Sequence, residues 1–465
     1  MSERVHFRCP GCGSGLETPE GTISNLCTYC GLVSLLGRPG RIVKRYYQPA
    51  FDVLEARVIA ERQIKKEGWP LFCDSAAVTL HYVPFYRFRG LSLSCLSYRR
   101  MAPSPTGLET KEEMRSYELR ARNLDLTVAG CSAVPFGLSN LGIRPQAVST
   151  WAYRDSELPA DATVWPADRQ PSDTQKDAFR MNEANLSMVN AGKVQEFCEM
   201  VGEHQSIIYF PVYVVEGRIG SDGRECHVVL DGLAKRVISA TPEKRVTPLT
   251  YDPDKQVREL VPEAHRCPHC GADLPASERS IVYACSNCHR LWLLDAAGFS
   301  PLEAACVGEG QGGLYPFWRI KIAFSRHPGF DTVGAFSRLL TADVPLLDKR
   351  KRHLPFFVFV PAFAGADAEW QVLTAVRMSR TQPLVEPVAK LPREAASVSL
   401  AAPEALEFAR FAWNWLRMNY LNLRAEHFDF RAAATGGPQL AWLPLQDERL
   451  GRSVHRAHQG VATAS

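Results

Sequence analysis

The chain has no run of eighteen apolar residues; its longest, residues 354–364, is eleven. A helix crossing a bilayer needs about twenty, so no membrane span is expected. The opening stretch carries Glu3, Arg4, His6 and Arg8 and lacks the apolar core of a signal peptide, which points to the cytoplasm. An excess of one charge is also missing: 54 Lys and Arg stand against 50 Asp and Glu, a net +4. A surface so near balance is not built as a whole for nucleic acid or membrane. A phosphate loop is absent as well. The glycines between Gly308 and Gly313 lack the Lys-Ser/Thr that reaches phosphate and Mg²⁺, and Ala191-Gly192-Lys193 lacks the upstream glycine. No activated serine or Cys-His signature is visible. His81, His204, His227 and Asp231 are dispersed, so no enzymatic activity is expected.

Eight of the fourteen cysteines carry the strongest signal. Cys9-Pro10-Gly11-Cys12 is answered by Cys27-Thr28-Tyr29-Cys30, and Cys267-Pro268-His269-Cys270 by Cys285-Ser286-Asn287-Cys288. Fourteen residues separate the two pairs in both cases. A Cys-x-x-Cys knuckle turns two sulfurs to one side, and a second knuckle completes a tetrahedron around a metal ion. The position after the second cysteine of a knuckle favours positive φ, which glycine adopts at little cost. Gly13, Gly31 and Gly271 sit there; His289 takes the place in the fourth knuckle. The spacer suits a β-hairpin, with Thr18-Pro19-Glu20-Gly21 as its turn and Pro275-Ala276-Ser277-Glu278 in the matching place.

Both clusters resemble the zinc-ribbon family through their Cys-Pro-Gly-Cys-Gly and Cys-Pro-His-Cys-Gly knuckles. The resemblance covers about 25 residues at each site and implies two structural Zn²⁺ ions. Their ligands would be Cys9, Cys12, Cys27 and Cys30, and Cys267, Cys270, Cys285 and Cys288. Four thiolates leave no open position for water, unlike a catalytic zinc. Rubredoxin-type iron sites use a much longer spacer. The remaining cysteines (Cys73, Cys95, Cys131, Cys198, Cys226, Cys306) are scattered singly and read as free thiols.

After the first cluster, Asp52-Val53-Leu54-Glu55 opens a helix to about Lys66, with Phe51, Leu54, Val58 and Ile59 on its apolar face. Pro84-Phe85-Tyr86-Arg87-Phe88-Arg89 is echoed after the second cluster by Pro316-Phe317-Trp318-Arg319-Ile320-Lys321. Both read as strands with bases to one side. Val134-Pro135-Phe136 pairs with Leu354-Pro355-Phe356, and Phe210-Pro211-Val212 with Leu443-Pro444-Leu445. Pro84 to Pro211 spans 127 residues and Pro316 to Pro444 spans 128. A helix is expected before each closing strand, through Val194, Phe197, Cys198 and Val201 in one half and over residues 404–424 in the other. Residues 155–175 read as a surface excursion. A strand from Val212 to Arg218, a turn from Gly220 to Gly223 and a return through His227 to Leu230 form a hairpin. Asp231-Gly232 then turns into Arg236-Val237-Ile238.

The expected fold is therefore α+β: two zinc ribbons, each attached to a related antiparallel-sheet-plus-helix half, by internal duplication. The divisions are residues 1–40 (ribbon), 41–240 (first half), 241–264 (linker), 265–292 (ribbon), 293–447 (second half) and 448–465 (tail). The expected function is a non-enzymatic zinc-binding scaffold or adaptor for protein partners in a larger cytoplasmic assembly. The alternative is a zinc-ribbon nucleic-acid-binding protein of transcription or translation, using the basic–aromatic strands around Arg87, Arg89, Arg319 and Lys321. The run Lys349-Arg350-Lys351-Arg352-His353 reads as a solvated loop. The aromatic helix around Phe408, Phe411, Trp413 and Trp415 reads as core within the second half.

Overall fold

A computed structural model describes residues 4–70, 76–103, 111–132, 135–142, 147–189, 193–221, 224–241, 262–307, 313–323, 331–338, 349–363, 365, 367–388, 395–420, 431–432 and 437–445. The first part runs β1 (Arg4–Arg8), β2 (Gly15–Pro19), β3 (Ser24–Leu26), β4 (Val33–Leu35), β5 (Val43–Tyr46) and α1 (Val53–Lys66). It continues with β6 (Ala77–Pro103), β7 (Lys111–Ala129), β8 (Thr150–Ala152), β9 (Thr163–Val164) and α2 (Pro171–Val189). β10 (Val194–Ile219), β11 (Arg224–Asp231) and β12 (Arg236–Thr241) close it. The second part holds β13 (Glu263–Ala264), β14 (Val282–Ala284), β15 (Leu291–Leu294), β16 (Phe299–Pro301), β17 (Ala304–Cys306) and β18 (Leu314–Ala323). α3 (Val333–Ser337), β19 (Phe357–Pro361), α4 (Ala368–Thr381) and β20 (Glu386–Val388) follow. Last come α5 (Ala402–Tyr420), β21 (Arg431–Ala432) and β22 (Gln439–Pro444). No helix among the described residues is long and apolar enough to cross a membrane.

The architecture is α+β, but the sheets are mixed, not antiparallel throughout. β5 runs parallel to β10, and β17 parallel to β22. The first sheet contains the run β7–β6–β10–β5–β8 and the second the run β19–β18–β22–β17–β20. The neighbours pair in the same sense throughout: antiparallel, antiparallel, parallel, antiparallel. The registers match too. Pro84 lies opposite Tyr209 and Pro316 opposite Trp442, and a proline stands two residues past each partner, at Pro211 and Pro444. Gly130 donates its N–H to the Pro84 carbonyl (2.8 Å) as Ala362 does to Pro316 (2.9 Å).

The middle pair of triplets does not correspond. Pro135 and Phe136 follow β7 in a 3-10 turn, whereas Pro355 and Phe356 precede β19. Val134 lies outside the described residues, as do Gly308 to Gln311, much of the linker and the tail.

Both faces of the first sheet are buried, because alternate side chains enter opposite layers. Tyr82, Tyr86, Phe88, Ile207 and Tyr209 face one layer, and Val83, Phe85, Ile208 and Phe210 the other. That explains why residues 82–88 read as a nearly continuous apolar run.

Three local expectations give way to packing. The segment with Val194, Phe197, Cys198 and Val201 is not a helix but the start of β10. Register shifts between Gln195 and Phe197 and between Val201 and His204 insert extra residues into the strand. A bulge breaks the alternation of two and imitates helical spacing. The helix before the closing strand is α2, which begins inside the supposed surface excursion. In the same excursion Trp165 is 2% exposed. α1 is capped as expected, the Glu55 N–H donating to Asp52 Oδ1 at 2.8 Å, but it buries Ala56, Ala60 and Ile64. Leu54 (71% exposed) and Val58 (43%) face out. The two alanines let the helix approach the sheet closely, and that contact outweighs the larger side chains.

α5 does form the aromatic core helix, but both halves grip it. Phe411 stacks obliquely on Phe197 of β10 at 5.0 Å, and Arg410 reaches Glu199 at 3.6 Å. On its other side Trp413 meets Phe336 and Phe356 of the second half. Lys351 of the basic run donates to the Thr381 and Gln382 carbonyls at the end of α4 (3.1 and 2.9 Å). A cation there complements the helix dipole, so that lysine serves the fold.

Candidate metal centres and the cavity between them

Each cysteine quartet closes into a cluster whose four sulfurs lie within 4.8 Å of one another. Cys9 and Cys30 are 3.7 Å apart and Cys12 and Cys27 3.8 Å; Cys267 and Cys288 are 3.7 Å apart and Cys270 and Cys285 3.5 Å. A tetrahedron with metal–sulfur bonds of about 2.3 Å has edges of about 3.8 Å, so both quartets fit a four-coordinate metal ion.

One backbone pattern builds all four knuckles. The residue four after the first cysteine donates to its carbonyl: Gly13 to Cys9, Gly31 to Cys27, Gly271 to Cys267 and His289 to Cys285, each at 2.9 Å. Those four donors have φ of 73°, 73°, 74° and 58°. The sequence marks these positions for positive φ, and His289 adopts it without glycine's freedom. His289 is exposed and belongs to neither sulfur cluster.

The spacers differ from the expected hairpin. β2 pairs with β1 and β3 with β4, so the strands of the first spacer pair outward past their own knuckles. The turn between them serves another purpose: it docks the two clusters together. The Ile23 N–H donates to the Glu278 carbonyl (2.8 Å) and the Ser24 N–H to Ser277 (3.1 Å), while the Ser277 N–H returns to Ser24 Oγ (2.8 Å). β13 adds to β4 as a third strand, with Glu263 opposite Leu35 and Ala264 opposite Ser34. Residues that read as the end of a linker thus fasten one metal module to the other.

Beside this junction lies a cavity of about 880 Å³, walled by both modules and both sheets. Among the described residues six arginines line it: Arg38, Arg41, Arg45, Arg87, Arg89 and Arg279. Three described carboxylates do, Glu20, Asp125 and Glu404. Glu20, from the Thr-Pro-Glu-Gly turn, has a side chain 7% exposed and forms ion pairs with Arg45, Arg87 (2.7 Å) and Arg89 (3.0 Å). Arg87, 1% exposed, also forks onto Asp125. His204 opens into the cavity from the second β10 bulge. Gly202 permits that bulge with a φ of 67°, and Gly90 lies opposite, where a Cβ would sit 2.7 Å from the Val201 carbonyl. His204 keeps an exposed side chain at the cavity wall, and the desolvating walls around it, then the nearby Arg89, lower its imidazole pKa.

The basic–aromatic strands therefore divide. Arg87 and Arg89 face the cavity, but Phe85, Tyr86, Phe317 and Trp318 are at most 1% exposed and offer no base-stacking platform. Arg319 lies over the Phe357 ring, 4.2 Å from its centroid. The other histidines have separate structural settings. His81 accepts from Trp165 Nε1 at 3.1 Å, His227 lies 3.3 Å from Glu216, and Asp231 accepts the Leu233 and Ala234 N–H groups. Sequence reading misses Glu20 as a hub. The available signal is Arg38, Arg41 and Arg45 crowded just after a turn bearing one acid. A comparison with protein-family models, curated proteins and solved structures finds no match.

Proposed function

We propose that this chain is a zinc-braced scaffold that holds protein partners in a larger assembly. The observation that carries the reading is the mutual docking of the two four-cysteine modules through β4–β13 and the Ser24–Ser277 contact. Two closed four-sulfur sites brace the joint between two sheets, and α5 spans the same joint. Zn²⁺ is the fitting ion, since a closed tetrahedral thiolate set of this size suits zinc and serves structure. The matched strand order, sense and proline register support an internal duplication, with one ribbon ahead of each sheet. One surface the braced body presents is the docked seam itself, where Glu263 and Ala264 of β13 are exposed. A further surface is the β6–β7 ladder, which continues to Pro103 and Lys111, past the last β10 pairing at Ser97. A two-stranded extension is marginal alone and gains stability from a covering partner.

The test is affinity purification of the tagged chain from its native host after in-cell crosslinking. The reading expects a protein partner in stoichiometric amount, lost when residues 98–116 are replaced by a short turn. Recovery of the chain alone contradicts it.

A further inference from the structure

We infer that the cavity between the two metal modules is a binding site for a small phosphate-bearing molecule. Its size falls within the range of small-molecule pockets, roughly 300–1,000 Å³. Six guanidinium groups line it against three carboxylates among the described residues. Arg38 is held by Glu263 and the Ala297 carbonyl and Arg41 by the Ala296 carbonyl, which leaves Arg45, Arg87, Arg89 and Arg279 facing Glu20, Asp125 and Glu404. One carboxylate, Glu20, is divided among three of those arginines. Each guanidinium offers five N–H donors in a fixed fork, so the three arginines that share Glu20 carry more donors than that one carboxylate can accept. Arg45 shows it directly: it is 8% exposed, lines the cavity, and its Nε meets no acceptor among the described residues. Guanidinium forks converging from several elements match the many oxygens of a phosphate better than a single carboxylate.

The site is assembled from distant parts of the chain. Glu20 and Arg45 come from the first module and its exit, Arg87 and Arg89 from β6, and Arg279 from the second module. The His204 ring adds two nitrogens able to hydrogen-bond a ligand. Leu91, Leu124, Ile281, Phe363 and Leu400 supply an apolar wall that would hold the organic body of a phosphate ester. Because every wall comes from a different unit, ligand binding would tighten the joint between them. This inference stands independently of any protein partner.

The experiment uses the full metal-loaded chain, with calorimetry and thermal unfolding against pyrophosphate, ADP and a single-stranded 12-mer DNA at fixed ionic strength. The expected result is saturable one-to-one binding of pyrophosphate or ADP with a raised Tm. ADP binding more tightly identifies an organic phosphate as the source; equal affinities identify free diphosphate. The variant Arg279→Glu changes an exposed cavity residue with no role in the buried ion pairs, and should weaken binding at least about tenfold. His204→Ala should weaken it by a smaller factor while keeping the circular dichroism spectrum. No saturable binding of either small probe at millimolar concentration overturns the inference. So does binding of the 12-mer alone, or affinity unchanged in both folded variants.

Discussion

The Arg87 guanidinium grips Asp125 as a two-pronged fork across the β6–β7 ladder, Nε to Oδ1 at 2.8 Å and Nη2 to Oδ2 at 2.6 Å. At the matching place in the second sheet, Arg319 meets Phe357 instead and lies over its ring. The same strand position is thus occupied by a buried ion pair in one sheet and a cation–π contact in the other. Removing Asp125 leaves the buried Arg87 with Glu20 alone, a carboxylate already shared with Arg45 and Arg89. Loss of one partner of a buried pair costs up to about 3–5 kcal/mol. An Arg–ring contact is worth roughly 0.5–2 kcal/mol. We predict that Asp125→Ala destabilises the chain far more than Phe357→Leu does through loss of the ring contact. Urea unfolding monitored separately in each half by hydrogen exchange would show it, and equal costs would refute it.

The docked modules lead to a second prediction. Cys12→Ser should loosen residues 9–35 most, and Cys270→Ser residues 265–294. Each should also reduce protection at β13 and β4 respectively, because those strands pair across the joint. Hydrogen exchange confined strictly to the mutated module would show that the joint does not couple them.

The positive φ at the four knuckles sets a third. A side chain in left-handed conformation costs roughly 1–2 kcal/mol. Gly31→Ala should therefore ease metal release from the first site in a chelator titration. His289→Gly, which relieves a φ of 58°, should slow release from the second. Unchanged release in both variants would contradict the backbone account.

Thiol chemistry gives a fourth. Burial pushes the Cys131 and Cys198 thiols up to about 12, and Cys95, Cys226 and Cys306 are buried as well. None should react with a maleimide at pH 7.5 in the folded chain, since the thiolate is the nucleophile. Metal removal should expose Cys12 and Cys30 first, as both are already exposed. Mass spectrometry of labelled peptides gives the order, and early labelling of Cys131 or Cys198 would be the contrary result.

The metal quartets are legible because their chemistry is written in local spacing. Two residues between cysteines and a glycine after the second determine a knuckle without tertiary information. The proline echoes at Pro84 and Pro316 and at Pro211 and Pro444 are legible for a similar reason, since each marks a fixed register in its ladder. The echo at Pro135 fails because a short apolar–proline–apolar triplet occurs on either side of a strand. The β10 bulges hide a strand behind helical spacing. The cavity is the least legible part. Glu20 looks like a turn residue, Arg279 like an ordinary surface charge, and Arg87 like an exposed base. Only the docking of one module on the other brings positions 20, 87, 204 and 279 around one space.

Metal content tests the central claim most directly. Elemental analysis of the purified chain should give two zinc ions per chain, one in Cys12→Ser, one in Cys270→Ser and none in the double variant. A wild-type chain with fewer than two tightly held ions, or with iron in their place, would contradict the account of two closed zinc sites bracing the joint.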